Sequence, residues 1–135
     1  MPGVLVDSNV ILDLVLNDPH WADWSSSTLN SYAQGVDLCI NPVIYSELSI
    51  GFQSIEDLEE VILMGGFRIL ELPKEALFLA GKIFLRYRKN KGTKRSPLPD
   101  FYIGAQASVF KMDLITRDTG RYRTYFPTLK IIHPE

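Results

Sequence analysis

A chain of 135 residues has the length of one ordinary domain, and 46% hydrophobic against 22% charged residues excludes a disordered chain. The formal charge of −2 excludes a uniformly basic protein that coats nucleic acid, but the sum hides an uneven spread: segment 86–95 holds six basic residues and no acid, while the remainder holds 8 basic against 16 acidic residues, a net of −8. A lone Cys39 excludes an internal disulfide or a multi-cysteine zinc site, no apolar run approaches the ~20 residues of a membrane span, and the start of the chain lacks the basic region of a signal peptide, so the expectation is one domain over residues 1–135, soluble and cytoplasmic.

Read in chain order, Val4-Leu-Val6 predicts a buried strand that ends at an acid, Asp7. Ser8 and Asn9 cap a predicted helix over 10–16, which Asn17-Asp-Pro19 stops. A second helix is expected over 20–33 and a second strand over 36–40, after which Asn41-Pro42 opens a third helix with proline at its first position. Ser54 caps a fourth helix with Glu56 to Glu60 in its first turns, where carboxylates suit the positive end of the dipole. Gly65-Gly66 closes it, and a third strand is expected over 67–70.

Pro73 then opens a long helix to about residue 87, with Leu77, Ala80, Ile83, Phe84 and Tyr87 at helical spacing. The basic segment passes through a loop at Asn90-Lys-Gly-Thr93 and leads to a helix over 99–110. A strand over 114–116, a short polar helix and a last strand over 129–132 complete the chain. Strands separated by helices predict an α/β fold: one domain with a mostly parallel central sheet of about five strands and helices on both faces.

In such sheets the functional crevice lies at the carboxyl ends of the strands. The pattern sends Asp7 to the end of the first strand, Asp118 just past the fourth, Asp100 to the first turn of the helix entering that fourth strand, and Glu47 to the helix after the second, each beside apolar residues. Two carboxylates ~4 Å apart repel by ~4 kcal/mol at an effective dielectric of 20. A pocket of three or four is therefore tolerable only if it takes up protons or binds a cation. An oxygen-only donor set favours Mg²⁺ or Mn²⁺ over Zn²⁺ and suits metal-assisted phosphodiester hydrolysis. Three of the acids also have a plain structural role open to them: Asp7 as a helix cap, Asp100 as a first-turn carboxylate, Asp118 as a turn residue. Glu47, inside a helix among aliphatics, needs a partner in any reading.

The motifs Val6-Asp7-Ser8-Asn9-Val10, Ser46-Glu47-Leu48, Pro99-Asp100-Phe-Tyr-Ile-Gly-Ala-Gln-Ala107 and Thr116-Arg-Asp118, in that order, resemble those of PIN-domain ribonucleases, and within them the single-domain VapC toxins of VapBC toxin–antitoxin modules. The resemblance runs from Val4 to Ile132. It implies that Asp7, Glu47, Asp100 and Asp118 form an acidic quartet, catalytic and metal-holding, around one or two Mg²⁺ or Mn²⁺ ions. Ser8, Asn9 and Thr116 then orient ligands or waters. The implied chemistry is metal-dependent endoribonuclease cleavage that leaves a 5′-phosphate, with tRNA or rRNA as substrate. A VapB-like antitoxin whose C-terminal segment lies across an apolar groove near the first four helices, and a homodimer without membrane association, are the implied partners.

Gly104 stands where the family commonly has alanine or another small residue, at a small expected cost in helix stability. Tyr122 supplies the aromatic that often follows the last acid.

An acidic pocket repels an RNA backbone, so cations must offset it at close range. Arg86, Arg88, Lys91, Lys94 and Arg95 are the candidate phosphate contacts, with Arg117, Arg121 and Arg123 as a second cluster; basic side chains at a helix C-terminus also simply complement its dipole. Trp21, Trp24, Tyr32 and Phe52 are either core or an apolar groove, His20 and His133 are read as structural, and Cys39 as a small hydrophobe. Two other readings stay open: a PIN nuclease of RNA processing without an antitoxin, and a non-catalytic metal-binding interaction or signalling module. A receiver-like module fits poorly, because the first strand ends in a single Asp and the third in Ile69-Leu70-Glu71.

Overall fold

The computed structural model describes residues 3–90 and 98–135, without the Arg121 side chain. Five parallel strands, β1 (Gly3–Val6), β2 (Asp37–Ile40), β3 (Arg68–Ile69), β4 (Asp113–Ile115) and β5 (Ile131–Ile132), form one sheet in the order β3-β2-β1-β4-β5. The helices are α1 (Ser8–Val15), α2 (Ala22–Ala33), α3 (Pro42–Leu48), α4 (Ile55–Gly65), α5 (Lys74–Lys89), α6 (Leu98–Phe110) and α7 (Gly120–Tyr125), with a 3₁₀ turn at Ser49–Gly51. β1 runs through the middle of the sheet, and every one of its residues is buried, as expected of a strand covered on both faces.

This order decides where a site can form. From β1 the chain adds β2 and then β3 on one side, then crosses back to lay β4 and β5 on the other. The connections leaving the ends of β1 and β4 therefore diverge, and a crevice opens between them at the carboxyl edge. The edge is pinned by backbone hydrogen bonds: Asp7 N–H donates to the Ile115 carbonyl (2.9 Å) and Thr116 N–H to that of Ile132 (3.0 Å).

The α/β architecture is the one expected, and the element ends differ by a residue or two. Helix α1 begins at Ser8, because the Asp7 carboxylate itself caps it by accepting the Ser8 N–H (2.8 Å). Helix α2 begins at Ala22, because Asp18 Oδ1 accepts the N–H groups of His20 (2.8 Å) and Trp21 (2.9 Å) and holds them in a turn. The strand expected over 129–132 shortens to Ile131–Ile132.

The reading of Gly104 changes. A Cβ built there would stand 2.5 Å from Phe126 Cε2, so the glycine makes room for a buried ring. That ring belongs to an aromatic cluster joining α5, α6 and α7, in which Phe101 lies edge-on to Tyr87 (5.7 Å) and Tyr125 (5.3 Å).

Candidate active site

Asp7 terminates β1 at the crevice and is only 4% exposed. Its Oδ1 accepts the Ser8 N–H; its Oδ2 accepts the Thr116 hydroxyl (2.7 Å) and the Tyr122 hydroxyl (3.2 Å). Asn9 Nδ2 stands 3.5 Å from both Asp7 Oδ2 and Thr116 Oγ1, and its Oδ1 accepts the Arg117 N–H (3.3 Å). Glu47, half-buried on α3, accepts the Ser8 hydroxyl at Oε1 (2.8 Å). Ser8 thus joins Asp7 to Glu47, Asn9 joins Asp7 to the segment after β4, and Tyr122 reaches from Asp7 to Asp100 Oδ1 (3.5 Å).

The electrostatics follow from this crowding. Burial, then the Asp100 and Glu47 charges, push the Asp7 carboxyl up from 3.8 to about 7, against the pull of its Thr116 and Ser8 hydrogen bonds. Burial and then Asp100 raise Glu47 as well, while the Ser8 hydroxyl opposes them. Tyr122, buried beneath the acids, is raised well above its ordinary value by burial first and then by Asp7 and Asp100. Three carboxylates, Asp7, Glu47 and Asp100, therefore act on one another. Asp118 stands exposed at the rim and is tied to the group through its backbone N–H, which donates to Thr116 Oγ1 (3.0 Å).

Among the described residues no three His, Cys, Asp or Glu side chains are drawn together into a ready-made metal cage. The donor set still fits a magnesium-like ion. Such an ion takes only one or two protein carboxylates and keeps its waters, and Asp7 with its raised acids is a site that gains from positive charge.

Of the expected RNA contacts, Arg86 and Arg88 are exposed in the last turn of α5, with the Arg88 guanidinium 5.9 Å from the Phe84 ring centre. Lys91, Lys94 and Arg95 lie outside the described residues. Arg117 is engaged within the chain: its Nε and Nη2 donate to Asp13 Oδ2 (2.6 Å) and Oδ1 (3.0 Å). Arg123 Nη2 lies 2.6 Å from His133 Nε2. Trp24, Tyr32 and Phe52 pack against the core, and Trp21 lies under Arg117.

Three features of the site were missed in the sequence. Asp13 carries the same signal as Glu47, a carboxylate between two leucines that needs a partner. Tyr122 was read only as the aromatic that often follows the last acid, and its hydroxyl bond to Asp7 has no sequence signature. The buried pair Asn41–Gln106 joins the α3 N-terminus to α6: Asn41 Nδ2 donates to Gln106 Oε1 (2.9 Å) and Gln106 Nε2 to the Glu71 carbonyl (2.8 Å).

The sequence profile of the PIN domain matches residues 4–127. No curated protein matches the chain in sequence. Solved structures do match in fold: VapBC2 from Rickettsia felis bound to a DNA fragment from its promoter (TM-score 0.76, 15% identity, 98% of this chain and 99% of that one); VapBC-1 from nontypeable Haemophilus influenzae (0.72, 18%, 97% of each); and a toxin–antitoxin complex from Klebsiella pneumoniae (0.70, 20%, 98% of each). At these identities the likeness is one of fold. Together with the profile match across most of its length, it leads to one conclusion: the chain belongs to the PIN domain family.

Proposed function

We propose that this chain is an endoribonuclease dependent on Mg²⁺ or Mn²⁺, of the VapC type, acting as the toxin of a toxin–antitoxin pair. The observation that carries the reading is the convergence of Asp7, Glu47 and Asp100 at the carboxyl edge between β1 and β4, with the Asp7 carboxyl pushed up to about 7. Clustered acids at the crevice of a parallel sheet are poorly explained by folding alone, since each raises the cost of ionising the others. A divalent ion bound there supplies the positive charge that offsets the acids and the phosphate and makes a nearby water more acidic.

The chain's own residues do the rest. Asp7, Glu47, Asp100 and Asp118 are the residues that would hold the ion. The carboxylates would also help take the proton from an attacking water, and Ser8 orients Glu47 by donating its hydroxyl to it. Thr116 and Tyr122 donate to Asp7 Oδ2 and fix its rotamer, and Asn9 holds the Thr116 segment beside it. Lys91, Lys94 and Arg95, with Arg86 and Arg88, remain the proposed phosphate contacts of the RNA.

For the antitoxin, the supporting observation is an apolar groove of about 290 Å³ between α1 and α4, lined by Ile11, Leu14, Val15, Val61, Met64 and Phe67. Leu63 (81% exposed) and Met64 (79% exposed) stand on the same helix. Patches of this kind on a small domain mark partner sites, and the similar structures named above are VapBC or toxin–antitoxin assemblies. A homodimer belongs to the same proposal.

The test is cleavage of labelled tRNA and rRNA by the purified chain with Mg²⁺, with EDTA, and as Asp7→Asn and Asp100→Asn. Cleavage that needs the metal and is lost in both variants is expected. Cleavage in EDTA, or full activity in both variants, overturns the reading.

A further inference from the structure

Arg117 lies between Thr116, which donates to Asp7, and Asp118. The segment linking β4 to α7 has no regular structure of its own, so the placement of these two residues depends on what holds it. The Arg117 backbone N–H donates to Asn9 Oδ1. Its guanidinium grips Asp13 side-on through two hydrogen bonds, the geometry that makes an Arg–carboxylate pair most directional.

Asp13 is 5% exposed in its side chain and accepts a further hydrogen bond from Ser25 Oγ of α2 (3.2 Å). The guanidinium carbon lies 5.1 Å from the centre of the Trp21 ring. The Arg117 charge also helps lower Asp18, after that residue's two backbone hydrogen bonds. Arg117 therefore ties the segment to α1, to the turn after it and, through Asp13, to α2. Helix α1 is capped by Asp7 and carries Asp13 within its eight residues. One rigid helix thus references both the buried acid and the segment bearing Thr116 and Asp118.

We infer that Arg117 is a positioning residue of the nuclease site, clamped by Asp13 to hold Thr116 and Asp118 in register with Asp7, and is not a phosphate contact. The inference rests on the nuclease reading for its effect on rate, but not for its effect on the segment.

The decisive comparison uses the full chain as wild type, Arg117→Ala, Arg117→Lys, Asp13→Asn and the Asp13→Asn/Arg117→Ala double variant. Three quantities are measured: single-turnover cleavage with saturating Mg²⁺, RNA affinity against salt in EDTA, and hydrogen exchange of amides 117–119. A clamp predicts that Asp13→Asn, which leaves the arginine in place, lowers the cleavage rate about 10–100-fold, as losses of outer-shell partners do. Arg117→Ala should do the same, and the double variant should be no worse than either.

The slope of log Kd against log salt should not change, and amides 117–119 should exchange faster. Arg117→Lys keeps the charge without the side-on grip and should recover only part of the rate; it serves in place of the alanine variant should that one fail to fold. A phosphate contact predicts the reverse: Arg117→Ala lowers the salt slope by about 0.7, and Asp13→Asn frees the guanidinium, keeps the full rate and holds RNA as tightly or more so. Those results overturn the proposal, as does unchanged exchange at 117–119 in Asp13→Asn. A wild type that cuts no RNA overturns the nuclease reading and leaves the exchange comparison to decide the clamp.

Discussion

The Tyr122 hydroxyl lies 3.2 Å from Asp7 Oδ2 and 3.5 Å from Asp100 Oδ1, so one buried phenol spans two carboxyl groups that repel each other. It donates to the acid, and burial first, then the surrounding negative charge, keeps its proton in place. Replacing it with Tyr122→Phe keeps the ring among its neighbours and removes only this link. The expected loss is about 1 kcal/mol of stability, typical of one net hydrogen bond, read as a lower unfolding midpoint in EDTA. Calorimetric titration with Mg²⁺ should also show weaker binding, because Asp7 has lost one of two groups fixing its Oδ2. Unchanged metal affinity would confine Tyr122 to packing.

The Asp7 carboxyl implies an unusual dependence of stability on pH. Its value of about 7 in the folded chain lies above the 3.8 of an ordinary aspartate. Between those values the folded chain keeps a proton that the unfolded chain gives up. Stability therefore falls as pH rises from about 4 to about 7 and then levels, by on the order of 4 kcal/mol at about 1.4 kcal/mol per pH unit. Glu47, raised by burial and then by Asp100, adds in the same sense. Urea midpoints in EDTA should be lower at pH 8 than at pH 5, and Asp7→Asn should remove most of the difference. A midpoint that climbs between these pH values in EDTA would contradict the burial of the acid.

Gly104 tests the packing behind the site. Alanine there gains about 1 kcal/mol of helix propensity but drives its Cβ to 2.5 Å from the Phe126 ring, and overpacking of this kind costs about 1–3 kcal/mol. The second term wins, so Gly104→Ala should lower Tm by a few °C. Pairing it with Phe126→Leu, which vacates the space, should make the alanine less costly than it is alone.

The groove between α1 and α4 gives a separable prediction. Met64→Glu places a charge on its lining without touching any residue of the acidic site. On the proposed toxin reading, affinity for the antitoxin should fall at least about tenfold, or about 1.4 kcal/mol, while the proposed RNA cleavage by the free chain stays at its wild-type rate. Titration calorimetry against the antitoxin checks the first and a cleavage assay the second. Unaltered affinity would move the antitoxin to another face.

Behind these sits the Asn41–Gln106 pair, which fastens the start of the Glu47 helix to the Asp100 helix. Gln106→Leu leaves Asn41 Nδ2 and the Glu71 carbonyl without their partner. Its cost should be about 1–3 kcal/mol, that of leaving a buried polar group unpaired. Denaturant unfolding measures it.

Much of this protein is legible along the chain, because the signals are local. The run Val4-Leu-Val6 ending at Asp7, the Asn41-Pro42 cap and the Ser54 cap each act within a few residues, and each stands where the pattern indicates. Placing Asp7 needs only the rule that parallel sheets open at their carboxyl edges, and Glu47 and Asp100, on helices that begin at that edge, were within reach of the same reasoning. Element ends were less legible where a side chain recruited the backbone, as Asp18 did at His20 and Trp21.

Partnership across the fold was decided only by tertiary structure. Arg117 reads as one more cation near an acid, yet 104 residues separate it from the Asp13 carboxylate that holds it. Tyr122 reads as an aromatic, and only the packing of α7 brings its hydroxyl to Asp7 across 115 positions. Gly104 reads as a weak spot in a helix until the Phe126 ring is seen against it. Residue type and short-range spacing determine which groups end an element or carry a charge. Which of them meet depends on chain crossings that bring distant segments within hydrogen-bonding reach, and the energies of those meetings leave no trace in local pattern.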